Sequence, residues 1–279
     1  MTTTPRDRVR RVSSRQNSLV KDLRRAFSQS ELVDGFCAIE GVRVIEEAVR
    51  SGLRFHAVFF AESAEPRMDK LLPQISAHTE VLALPDDVFS SAVATETPQG
   101  VAALVRWPEF SLENILAATE RPLLLGTMGI QDPGNLGTII RSAEAFGAAA
   151  VLLGEKTVSQ FNSKVIRASA GSSFRLPTIP VKVAATQELK TRGLRVTATS
   201  SHKGEPIDEA DLTGGLIVMV GSEGAGVPRE YMSLADEFVR VPHQERVESL
   251  NAAVAASVIL YEAQRQRQSQ HRDTEAQRK

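Results

Sequence analysis

A single cysteine, Cys37, stands in the whole chain, within an apolar stretch. One cysteine excludes an intramolecular disulfide and a thiolate metal cluster, and it fits a reducing compartment. Its expected role is that of a small buried side chain. No run approaches the roughly 18 apolar residues that a membrane span requires, and the first residues hold no apolar signal core. The protein is therefore expected in the cytoplasm and off the membrane. Net charge is also nearly missing, at -1. The balance is uneven along the chain: Arg6, Arg8, Arg10, Arg11, Arg15, Lys21, Arg24 and Arg25 face only Asp7 and Asp22. Such a basic opening on a neutral protein points to a polyanionic partner.

What is present suits two globular domains, since 279 residues with 42% hydrophobic and 24% charged side chains can bury two cores. Residues 1–12 are polar, basic and aperiodic, and read as a disordered arm. From 13 to 106 the periodicity alternates between strand and helix. A helix is predicted after Ser13 or Ser14 to about 28, then a strand at 36–39, a helix at 42–51 and a strand at 56–61. A helix at 66–76, a strand at 80–84, a helix at 85–93 and a strand at 101–106 complete a small α/β domain. Residues 107–121 read as a linker, with Trp107 packed at the boundary. The alternation then resumes over 122–268, ending in a helix from 250 to about 267, and 269–279 reads as a frayed polar tail.

Three stretches of the second part carry chemistry. Residues 131–153, QDPGNLGTIIRSAEAFGAAAVLL, follow a strand and open with a turn. Asn135 is placed to cap a helix over 136–146, and Gly147 to stop it. Polar groups then lie at the carboxyl end of a strand, where open α/β sheets bind ligands. Residues 216–228, LIVMVGSEGAGVP, run from a buried strand into a glycine-rich turn whose N-H groups a ligand can approach closely. The order G-x-x-G-x-G is not the dinucleotide fingerprint, no aligned acid follows for a ribose, and no Gly-Lys-Ser/Thr is present, which disfavours NAD and ATP. Residues 239–263, VRVPHQERVESLNAAVAASVILYEA, place Ser249 to cap a helix that is apolar on nearly every side. Asn251 in that helix needs a partner, either a neighbouring loop or a substrate.

Together these stretches resemble the three signature motifs of the SpoU/TrmH family of RNA ribose 2'-O-methyltransferases, in the SPOUT superfamily. Residues 12–27, 39–48, 97–101 and 164–177 resemble further family blocks in the same order. The resemblance implies a C-terminal SPOUT domain with a parallel sheet and a deep trefoil knot, preceded by a small ribosomal-protein-like α/β RNA-binding domain. It implies S-adenosylmethionine as cofactor, held at Thr199, Gly221, Val241 and Leu250, and a homodimer joined through the C-terminal domain. It assigns the catalytic site to Asn135, Arg141, Glu223, Ser249 and Asn251. Arg141 is either the base for the ribose 2'-hydroxyl or a phosphate ligand that lowers its pKa. Arg15, Lys21, Arg24 and Arg25 are the expected RNA contacts. Ribosomal RNA is favoured as substrate, with transfer RNA or a non-catalytic RNA-binding role as alternatives. Two positions depart from the usual family pattern: Val-Pro-His at 241–243 replaces Ile-Pro-Met, and Ala252 replaces Val. His243 is expected to face solvent or pack a loop.

Overall fold

The computed structural model describes residues 8–277, with side chains to 270. It divides into two compact units, Met1–Glu109 with Ser159–Phe174, and Phe110–Val158 with Arg175–Lys279.

The first unit is built on β1 (Val9–Arg11), α1 (Ser18–Gln29), β2 (Phe36–Glu40), α2 (Val42–Arg50), β3 (Phe55–Ala61), α3 (Glu65–Leu71), β4 (Glu80–Leu84), α4 (Asp86–Ser90) and β5 (Val101–Arg106). Its five strands lie in the order β1-β4-β3-β5-β2, with β5 antiparallel to both neighbours. The arm expected to be disordered over 1–12 is in part a strand: β1 pairs in parallel with β4, and the Arg8 guanidinium donates to the carbonyls of Leu72 (2.9 Å) and Ile75 (3.0 Å). Residues 1–7 of that arm lie outside the described residues. Helix α1 begins later than the spacing predicts, because Asn17 rather than Ser13 or Ser14 caps it, accepting from Leu19 N at 3.1 Å. Cys37 is buried in β2, and that burial pushes its thiol far above the usual range.

The second unit begins with α5 (Leu112–Ala117), β6 (Leu123–Met128), α6 (Pro133–Ala145) and β7 (Ala150–Leu153). The chain then passes through α7 (Ser163–Ala168), which belongs to the first unit. The contiguous second domain expected over 122–268 is thus interrupted. Trp107 holds the inserted segment, edge-on to Phe161 (5.1 Å) and Phe174 (5.8 Å).

The second unit continues with β8 (Thr178–Pro180), α8 (Val183–Thr191), β9 (Arg195–Thr199), β10 (Glu205–Pro206), β11 (Leu216–Gly221), α9 (Arg229–Met232), β12 (Glu237–Arg240) and α10 (Ala252–Gln277). All seven strands are parallel, in the order β10-β12-β9-β11-β6-β7-β8. Every residue of β6, β7 and β11 is buried, which is why those strands read as unbroken apolar runs. Helix α10 continues past the expected end near 267. The Gln- and Arg-rich run contains no Pro or Gly to stop it. Because β9, β11 and β12 are neighbours and parallel, their carboxyl ends deliver Thr199, Gly221 and Val241 to one edge of the sheet.

Candidate active site

The site starts at two helix caps. Asp132, not Asn135, caps α6: its Oδ1 accepts from Asn135 N at 2.7 Å, and Pro133 follows with its φ preset for the first turn. Moving the cap back three residues frees the Asn135 side chain, whose Nδ2 donates to Glu223 Oε1 at 3.2 Å. The same displacement occurs at α10. Ser249 is exposed and does not cap; Asn251 does, its Oδ1 accepting from Ala253 N (3.0 Å) and Val254 N (3.2 Å). Its Nδ2 donates to Asn135 Oδ1 at 3.0 Å and to Glu223 Oε1. Of the two roles open to Asn251, the one seen is to tie down a neighbouring loop.

Glu223 is therefore the meeting point of all three stretches. Its Oε1 also accepts from Ala252 N at 3.4 Å, so a carboxylate sits at the positive end of α10. The loop that carries it folds back tightly over the end of β11. Gly226 N donates to Ser222 O at 2.8 Å, and Gly226 takes a φ of +64°. A Cβ on Gly221 would lie 1.9 Å from the carbonyl carbon of Gly226, so only glycine fits there.

Beside this junction is a cavity of about 530 Å³, and all four expected cofactor contacts, Thr199, Gly221, Val241 and Leu250, line it. Glu223 and Ser249 line it as well. Asn135 and Asn251 reach it through Glu223. Arg141 stands apart: it is exposed, and among the described residues it has no hydrogen bond or ion pair. Six residues beyond Asn135, it lies about 9 Å along the helix and on another face.

His243, expected to face solvent or pack a loop, lines the cavity and packs against its own loop, with Nδ1 2.8 Å from the Val241 carbonyl oxygen. Glu248 and His202 also line it, and neither was singled out from sequence. The signal for Glu248 was its place beside Ser249. His202 lies in the polar loop after β9, where any strand of a parallel sheet delivers its following residues.

Of the expected RNA contacts, Arg24 is partly buried and committed to packing, donating to Ser91 O (3.0 Å) and Oγ (3.2 Å). Arg15 pairs with Asp87 at 2.7 Å, and Arg25 with Gln29 at 3.3 Å, both on the surface. Lys21 is exposed.

The profile of the SpoU rRNA methylase family matches residues 122–261, half of the chain. The chain belongs to the SpoU rRNA methylase family. Residues 32–103 match a second profile, the MRM3-like substrate binding domain. Among curated relatives, the 23S rRNA (guanosine(2553)-2'-O)-methyltransferase RlmP of Bacillus subtilis is 34% identical, over 91% of this chain and 98% of its own length. The 23S rRNA (guanosine-2'-O-)-methyltransferase RlmB of Pseudomonas putida is 35% identical over 74% of this chain and 86% of its own. The SpoU methyltransferase AviRb of Streptomyces viridochromogenes, solved with AdoMet, superposes with a TM-score of 0.77 at 28% identity, covering 91% of this chain and 99% of that one.

Proposed function

We propose that the protein transfers a methyl group from S-adenosylmethionine to a ribose 2'-hydroxyl of ribosomal RNA. The observation that carries this is the junction of Asn135, Glu223 and Asn251 beside a cavity at the carboxyl ends of three parallel strands. The relatives RlmP and RlmB, named for 23S rRNA guanosine 2'-O-methylation, support the substrate class.

The cavity residues fit such a cofactor. The volume lies within the range of small-molecule sites, about 300–1,000 Å³. A Cβ on Gly224 would meet nothing within 4 Å, so main chain there is open to a ligand. Leu250 and Ile259 give apolar wall, while Glu223 and Glu248 suit a cationic ligand. When bound, S-adenosylmethionine supplies a methyl group on a positively charged sulfur. The chain's own residues do the rest. Main-chain groups of Gly221, Val241 and Leu250 hold the cofactor, with Thr199 beside them. Asn135 and Asn251 fix Glu223, and Ser249 contacts the phosphate of the target nucleotide. Arg141 lies apart from the cavity within one chain, and the family resemblance assigns it to the reaction. Because a guanidinium almost never acts as a proton acceptor in proteins, its role there is that of phosphate ligand and oxyanion stabiliser rather than base. Its donors lower the pKa of the 2'-hydroxyl, and the departing proton passes to water.

The same reading makes the first unit a ribosomal-protein-like RNA-binding domain, with Lys21, Arg25 and Arg15 on the phosphates. It gives the second unit a deep trefoil knot. It also makes the protein a homodimer. Val254, Val258 and Tyr261, 37–55% exposed, form one apolar stripe on α10 that a second copy would cover. The reaction belongs in the cytoplasm, and no described helix is long and apolar enough to cross a membrane.

Incubation with methyl-labelled S-adenosylmethionine and separate pools of unmodified ribosomal and transfer RNA tests the substrate. Label should enter ribosomal RNA. Label in transfer RNA alone overturns the substrate assignment.

A further inference from the structure

A β-bulge in β3 sets a histidine into an aromatic stack on the surface of the first unit. Phe55 pairs with Val105 and Ala57 with Leu104, so His56 is the extra residue. Its ring lies against Phe36 of β2, with centroids 4.5 Å apart and planes at 21°. The Arg106 guanidinium, from β5 between those strands, stands 5.4 Å from the centre of the same Phe36 ring. Arg106 is itself fixed in place. Its Nη1 donates to Asp34 O at 2.9 Å, its Nη2 is 3.7 Å from the Glu109 carboxylate, and a Cβ on Gly35 would come within 2.5 Å of Nη1. Guanidinium, phenyl and imidazole thus form one preset strip across three neighbouring strands.

Phe36 packs on one side against the core of the unit, while the imidazole and the guanidinium beside it face solvent. His56, Arg106 and Arg54, whose carbonyl accepts from Arg106 N at 2.8 Å, are all exposed, and neither the His56 ring nor the Arg54 guanidinium has a hydrogen bond or ion pair among the described residues. A flat aromatic surface flanked by cations fits a partner that is itself flat and carries negative charge alongside. An unpaired nucleotide meets both demands: its base stacks on an aromatic ring or a guanidinium plane, and its phosphate pairs with Arg. Duplex RNA does not, because its bases are already stacked on one another. We infer that His56, set on Phe36 and flanked by Arg54 and Arg106, is a stacking platform for an unpaired base of the bound RNA. This rests on the proposed RNA substrate.

The test uses the full chain with two RNA probes, a hairpin carrying 2-aminopurine in its loop and a duplex of equal length. Wild-type protein should quench the loop fluorophore. His56→Ala should abolish the quenching and weaken hairpin binding at least about fivefold, with duplex binding unchanged. His56→Phe keeps the stack and should restore both. Arg54→Ala should weaken both probes and reduce the salt slope by about 1. Equal quenching by wild type and His56→Ala overturns the inference, as does equal loss on hairpin and duplex. Those results leave the proposed function standing; wild-type protein that binds neither RNA removes both.

Discussion

Exchanging donor and acceptor at the Asn251–Glu223 contact isolates what that contact contributes. Asn251 caps α10 through Oδ1 and holds Asn135 and Glu223 through Nδ2. Asn251→Asp keeps the cap, since Asp caps as well as Asn, but sets a carboxylate against a carboxylate. Losing a hydrogen bond to an exposed charged group costs about 1 kcal/mol, and two like charges about 4 Å apart in water add about 1 kcal/mol. The total of about 2 kcal/mol lowers Tm by about 4–8 °C at this chain size. Glu223→Gln keeps an acceptor facing Asn251 and should cost under about 1 kcal/mol. In the double variant the new amide faces the new carboxylate, so most of the loss should be recovered, apart from the bond to Asn135 Oδ1 for which the new carboxylate has no donor, with a coupling of about 2 kcal/mol. Thermal scans of all four proteins read this directly. If the double variant is as unstable as Asn251→Asp alone, the contact does not hold the junction together.

Arg141→Ala should reduce turnover by about 100-fold or more and leave S-adenosylmethionine affinity within twofold by calorimetry; near-normal turnover would remove Arg141 from the site. Gly221→Ala must displace the backbone at Gly226, so cofactor affinity should fall at least about tenfold, and an unchanged affinity would contradict the packing described. Asp236 gives a pH signature. Partial burial pushes its carboxyl up, but Lys190 (2.6 Å), the Val196 N-H (2.9 Å) and Arg195 outweigh that and hold it below the usual range. A lowered folded-state pKa means the stabilisation is present above the unfolded value of about 3.9 and is lost as pH falls through the folded one. Asp236→Asn should therefore lower Tm at pH 7 and match wild type near pH 2, in scans across that range.

The parallel core of the second unit was legible because strands buried on both faces read as apolar runs, and β11 shows this most plainly. Cap positions were not, because competing cap residues stand within a few positions of one another. Asp132 beat Asn135, Asn17 beat Ser13 and Ser14, and Asn251 beat Ser249. Those displacements matter for the site, since each decides whether a side chain is spent on a helix end or free for a neighbour. Strand β1 was hidden because three residues, Val9–Arg11, carry no periodicity and take their conformation from pairing with β4, some seventy residues away. The attachment of Ser159–Phe174 to the first unit rests on Ile166 and Phe174 in its core and on Phe161 beside Trp107, and the stack of His56 on Phe36 rests on a bulge; both are contacts between residues distant in sequence that spacing does not encode. The gathering of Thr199, Gly221, Val241 and Leu250 around one cavity was anticipated only through the family resemblance.

Alkaline hydrolysis of RNA labelled by the enzyme tests ribose methylation most directly. Alkali cleaves through the free 2'-hydroxyl, so a 2'-O-methyl group protects the bond that follows it. Label recovered in an alkali-resistant dinucleotide is the expected result. Label recovered in mononucleotides would place the methyl group on a base and contradict the proposed reaction.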